Sequence, residues 1–238
     1  MNNTYEHSLQ KSALFHLLPG ILTGIVYYAL ASVVWSQGFP TVMALILALI
    51  PFELGFLLYQ KKKTGKPFFN GIIRFCDPIP ARAYLLWVPA IFLSSGLLFT
   101  LFNFSADLLM PLFSWIPEHL YLDMGLDGGF SKENLRVTSV LFFVFVVVIL
   151  PVTEELYFRG WFAATHAGKP ERVEPCSPQC PIRPLPCVAP WMLITRPVAV
   201  LPLIYGVQKK RNVLLGIVSH CLLNAIGWIV GLTFIARL

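Results

Sequence analysis

The sequence predicts an all-α fold, a polytopic bundle of about six transmembrane helices, and three observations point to it. The chain of 238 residues is 56% hydrophobic and only 13% charged, about half the charged fraction of ordinary soluble domains. Its mean hydropathy is +0.69. Its apolar residues gather into runs near the ~20 residues that cross a bilayer as a helix, with the charged residues largely in short stretches between them.

The first run, about 13–35, follows the polar start MNNTYEHSLQKS and is long enough to span, so it reads as a first crossing and not as a cleaved signal. The second, about 40–59, leads into QKKKTGKPFFNGIIRFCDPIPAR. That loop carries Lys61, Lys62, Lys63, Lys66, Arg74 and Arg82 against Asp77. The third run covers about 84–103. After it, the loop from about 104 to 136 carries Asp107, Glu118, Asp123, Asp127 and Glu133 against Lys132 and Arg136. Excess lysine and arginine mark cytoplasmic loops, so the first loop and the N-terminus are expected in the cytoplasm and the second loop outside. The fourth run, about 137–160, then ends inside. The fifth, about 191–208, is short and broken by prolines, and the sixth, about 212–235, is clear. All are expected to be helices, because isolated strands leave backbone groups unsatisfied in lipid. The organisation is an N-terminal transmembrane hairpin with its basic loop at 1–83 and a core at 84–238, interrupted by an irregular segment at 166–188. A net charge of +6 spread over short loops suits the cytoplasmic face of a cell-membrane protein and not a nucleic-acid partner. Five cysteines, unevenly placed, do not make a disulfide framework.

Counting crossings exposes a conflict. If 191–208 is one crossing, Lys209, Lys210 and Arg211 fall outside, against the positive-inside rule. One more crossing between 160 and 197 would repair this. The stretch that should hold it, HAGKPERVEPCSPQCPIRPLPCV at 166–188, contains six of the 19 prolines and three of the five cysteines, a density that excludes a helix interior. Two readings stand. One is a cytoplasmic loop in which Cys176, Cys180 and Cys187, with His166, bind zinc. The other is a stretch translated out of frame between two in-frame flanks, which explains both the composition and the missing helix. Reading the encoding DNA in three frames separates them.

Two polar clusters interrupt the apolar helices. In PVTEELYFRGWF, Glu155 and Arg159 stand at i,i+4 and face one another, while Glu154 lies about 100° around the axis. One carboxylate is then held by arginine and the other left to act as a general base on water. The plain alternative is a salt bridge at the membrane boundary with a solvated glutamate. In GIVSHCLLNAIGWIV, His220 and Asn224 share a face of the last helix. They suit an oxyanion-stabilising pair, or a metal ligand at His220, and equally the interhelical hydrogen bonds common in membrane bundles.

Taken together, EELYFR and HCLLN resemble the EExxxR and HxxxN motifs of the CAAX-protease and bacteriocin-processing (CPBP, or Abi) intramembrane proteases. The likeness covers roughly 80–235. It implies hydrolysis of a peptide bond in a membrane-embedded or lipidated substrate. Glu154 would be the base, Glu155 and Arg159 its supporting ion pair, and His220 and Asn224 the oxyanion or polarising pair. The resemblance allows a divalent metal, with zinc the usual suggestion, and does not require one. The family's middle motif, FxxxH, is missing. FAATH, ending at His166, matches it formally, but eleven residues from Glu155 is about 16 Å of helical rise, too far to share one water. Loss of a water-activating histidine typically costs about 10²–10⁴-fold in rate, so an impaired enzyme is expected. The alternatives are a non-catalytic membrane scaffold and, more weakly, a small transporter, for which the repeated broken helix pairs are lacking.

Overall fold

The computed structural model describes residues 9–34, 40–117, 121, 131–163 and 189–237. It is an all-α polytopic bundle. The helices are α1 (Leu9–Val34), α2 (Thr41–Thr64), α3 (Ala81–Phe113), α4 (Lys132–Ala163), α5 (Pro190–Lys210) and α6 (Val213–Ile235). The last five are long and apolar enough to cross a membrane, and α1 carries a shorter apolar stretch, Leu17–Leu30. Among the described residues no strand forms, and the two isolated β-bridges lie outside the helices. Leu85, Leu86, Leu93 and Leu97 of α3 are exposed, as expected of a face turned to lipid.

Contacts near the helix ends fix the direction of each helix. Phe15, early in α1, packs on Phe56 at 5.2 Å and Trp161 at 5.6 Å, late in α2 and α4. The end of α4 meets the 65–80 loop, where Arg74 N–H donates to Gly160 O at 2.9 Å. The same loop receives the start of α6, Val213 N–H donating to Phe75 O at 2.7 Å. At the opposite face, Tyr27 Oη donates to Tyr121 O at 2.6 Å, and Thr195, early in α5, bonds Phe102 O at 3.0 Å. Trp228, late in α6, donates to Ser139 O, early in α4, at 3.0 Å. So α4 and α5 run in the same direction, and the chain leaves one face after 163 and returns from the other at 189. Lys209, Lys210 and Arg211 therefore share a face with the basic 65–80 loop, where Arg211 Nε meets Asp77 Oδ2 at 3.2 Å. The irregular segment itself, with His166, Cys176, Cys180 and Cys187, lies outside the described residues.

Prolines inside the helices shape their contacts. Proline has no N–H, so the carbonyl it would have served needs another donor, and in lipid no water supplies one. In α1, Pro19 strands Phe15 O, which accepts instead from Tyr157 Oη of α4 at 2.8 Å. In α4, Leu150 N–H donates to Phe145 O, five residues back. In that register Pro151 would serve Val146 O, and Asn224 Nδ2 of α6 donates to it at 2.8 Å.

The basic loop is not a simple solvent loop. Gly65 ends α2 with φ +66°, a left-handed conformation that glycine adopts without penalty. Ile72 and Ile73 then turn inward to pack with Leu57, Tyr157 and Trp161. Gly160 makes this possible, since a Cβ there would lie 2.6 Å from Ile73 Cγ2.

Candidate functional site

Glu154 and Glu155 lie where α4 changes character. Leu150–Glu154 is α-helical and Glu155–Ala163 is π-helical, a register often found at functional sites. Every side chain from Glu155 to Ala163 is buried. His220 enters from α6, seven residues past its start at Val213, or about 10 Å along the axis. The site thus sits within the bundle, below the face that carries the basic loop.

The two helices bring four ionisable side chains together. Arg159 Nη1 donates to Glu155 Oε1 at 2.8 Å, the pair that the i,i+4 spacing predicts. The same Oε1 lies 3.0 Å from His220 Nδ1. The other ring nitrogen, Nε2, faces Glu154 Oε2 at 3.6 Å, beyond hydrogen-bond range. Glu154, Glu155 and His220 are each no more than 1% exposed and Arg159 is 2% exposed. Sequence spacing turned Glu154 away from its neighbour. In the fold the imidazole sits between the two carboxylates, one on each nitrogen, so both belong to one site. Gly216, one turn before His220, gives Glu155 its room: a Cβ there would lie 2.6 Å from Glu155 Oε2 and 2.7 Å from Val207 Cγ2.

Asn224 lies one turn after His220 on α6. Its amide donates to Val146 O, the carbonyl left by Pro151, which is the interhelical bond that its residue type also allowed. Reasoning from motifs missed Glu53 of α2. It is fully buried, and neither carboxyl oxygen has a hydrogen-bond partner among the described residues. A lone acid within ALILALIPFELGFLLY was the signal, because an ionisable residue inside a membrane helix marks function by default.

The electrostatics of the group follow from this inventory. Three carboxyls, Glu53, Glu154 and Glu155, are buried, as are one guanidinium, Arg159, and one imidazole, His220. Removing one partner of a buried ion pair such as Glu155–Arg159 typically costs about 3–5 kcal/mol, since it leaves the other charge uncompensated. As for zinc, which structural sites bind through four donors and catalytic sites through three protein donors, His220 Nε2 and Glu154 Oε2 are the two that face each other. Among the described residues no third His, Cys, Asp or Glu completes a metal-binding group with them. The described donors do not fit that ion.

Among known proteins, no family model, no curated protein and no solved structure matches the chain.

Proposed function

We propose that the chain is an intramembrane peptidase of the CPBP type, set in the cell membrane with its N-terminus and basic loop in the cytoplasm. One observation carries this reading: Glu154, Glu155, Arg159 and His220, from two apolar helices, converge on one buried point. With Nδ1–H donated to Glu155, the neutral imidazole turns its Nε2 lone pair toward Glu154. A water beside the 3.6 Å gap then has a carboxylate and an imidazole as proton acceptors. Water loses a proton to Glu154, its oxygen bonds to the peptide carbonyl carbon, the C–N bond breaks, and the leaving nitrogen takes the proton. The substrate class is a membrane-embedded or lipidated peptide, since the site lies within the spanning part of the bundle. The chain would be purified into liposomes with a lipidated, fluorogenic peptide, beside Glu154→Gln. Loss of about 10²-fold or more in hydrolysis is expected, and equal rates in the two chains would sink the reading.

A second reading, a non-catalytic membrane scaffold, draws on Asn224, whose amide Nδ2 donates to Val146 O in an interhelical hydrogen bond. In that case Glu154→Gln leaves the biological phenotype intact.

A further inference from the structure

The face that carries the 65–80 loop is strongly basic, and the reaction above uses none of that charge. Among residues 60–82 and 208–212, Asp77 is the only acid, and Arg211 holds it at 3.2 Å. Lys61, Lys62, Lys63 and Lys66 around the end of α2, and Lys209 near the end of α5, are exposed. The loop between them is tied down. Asp77 N–H donates to Arg211 O at 3.0 Å, and Asn212 Nδ2 donates to Asp77 O at 2.7 Å.

Two contacts set the depth of this charge. Lys63 Nζ lies 5.8 Å from the centre of the Tyr59 ring, and Lys210 Nζ lies 5.1 Å from the centre of the Trp87 ring. Tyr59 is one turn before Lys63 on α2. Trp87 is level with the turn before Lys210, since its ring lies 6.1 Å from that of Tyr205. Both lysines therefore turn back from the helix end toward the bilayer. The three rings stand five or six residues inside the ends of their helices, about 8–9 Å along the axis. Tyr59 and Tyr205 are exposed, as are Leu58, Leu85 and Leu86 beside them. Tyrosine and tryptophan gather at the headgroup level of a membrane, and lysine stems lie along apolar surface with the ammonium in the polar layer. The two ammonium groups are thus held at the depth of lipid phosphates, which is not where a soluble partner meets them.

We propose that this face binds phospholipids with net-negative headgroups in the leaflet on its own side, Lys63 beside Tyr59 and Lys210 beside Trp87 each holding a headgroup phosphate. The neighbouring lysines select the class, because they are not offset by acids and favour a headgroup that keeps its negative charge. The site needs only the membrane placement of the chain and stands whether or not the chain is a peptidase.

The full chain in phosphatidylcholine vesicles, with a trace of spin-labelled phosphatidylglycerol or phosphatidylcholine, provides the test. Electron paramagnetic resonance reads the share of each label immobilised on the protein. The parent should hold phosphatidylglycerol at least about fivefold more strongly, the factor of about one lysine at a membrane surface. That preference should collapse in 1 M salt, where the screening length is about 3 Å. Lys63→Gln and Lys210→Gln should each lower it at least about twofold, and Lys63→Arg and Lys210→Arg should keep it. Lys132→Gln, exposed at the start of α4 on the opposite face, should leave it unchanged. Equal binding of the two labels by the parent overturns the proposal, as do glutamine variants with the parent's preference or a Lys132→Gln chain that loses as much. If phosphatidylglycerol is not preferred while a fluorescent polyglutamate peptide binds the parent in neutral vesicles, the face serves a soluble acidic partner and the lipid site is refuted. Thermal unfolding checks each variant, and Lys63→Met or Lys210→Met, which keeps a stem over the ring, replaces a glutamine variant that does not fold.

Discussion

Replacing Asn224 by leucine, alone and together with Pro151→Ala, puts the proline-carbonyl pairing to a direct test. Leucine keeps the bulk of the side chain and removes its donor. The bond lost is short, 2.8 Å from Nδ2 to Val146 O, and the carbonyl left behind has no proline N–H to replace it. Side-chain hydrogen bonds between membrane helices average about 0.6 kcal/mol and reach about 1.7, while an unsatisfied buried acceptor costs about 1–3 kcal/mol. Asn224→Leu should therefore destabilise the chain by about 1–2 kcal/mol. In the Pro151→Ala background, alanine 151 supplies an N–H to the same carbonyl in the register already set by Leu150 N–H and Phe145 O. There the cost of Asn224→Leu should fall to a few tenths of a kcal/mol. The assay is reversible unfolding in mixed micelles of the parent, both single variants and the double variant. Independent sites add within about 0.3–0.5 kcal/mol. A coupling energy no larger than that would refute the assignment of Asn224 to the stranded carbonyl, and would return it to the reading in which it serves His220.

The equivalent pairing on α1 should behave in the same way: Tyr157→Phe removes the donor to Phe15 O, and Pro19→Ala should relieve most of the loss in the same unfolding measurement. Gly216→Ala should destabilise by about 1–3 kcal/mol, although alanine is the better helix former by about 1 kcal/mol. Its Cβ would meet both Glu155 and Val207, and hydrolysis should fall with the displaced carboxylate. Gly160→Ala, whose Cβ meets Ile73, should disturb the basic loop and leave the Glu155–Arg159 bond in place, which a crystal structure of each variant would reveal.

What could be read from sequence follows the range of each interaction. The spanning helices α2 to α6 were legible because hydropathy is a property of a run. The Glu155–Arg159 pair was legible because it lies within one turn of helix. The placement of Glu154 beside the same imidazole was not, since it depends on where α6 crosses α4. Glu53 stands out as an acid in an apolar run, but what it packs against lies a hundred residues away, and only the packing of α2 on α4 brings the two helices together. Asn224 is the most instructive case. Its acceptor is a backbone carbonyl freed by a proline on another helix, and no residue pattern around Asn224 records that.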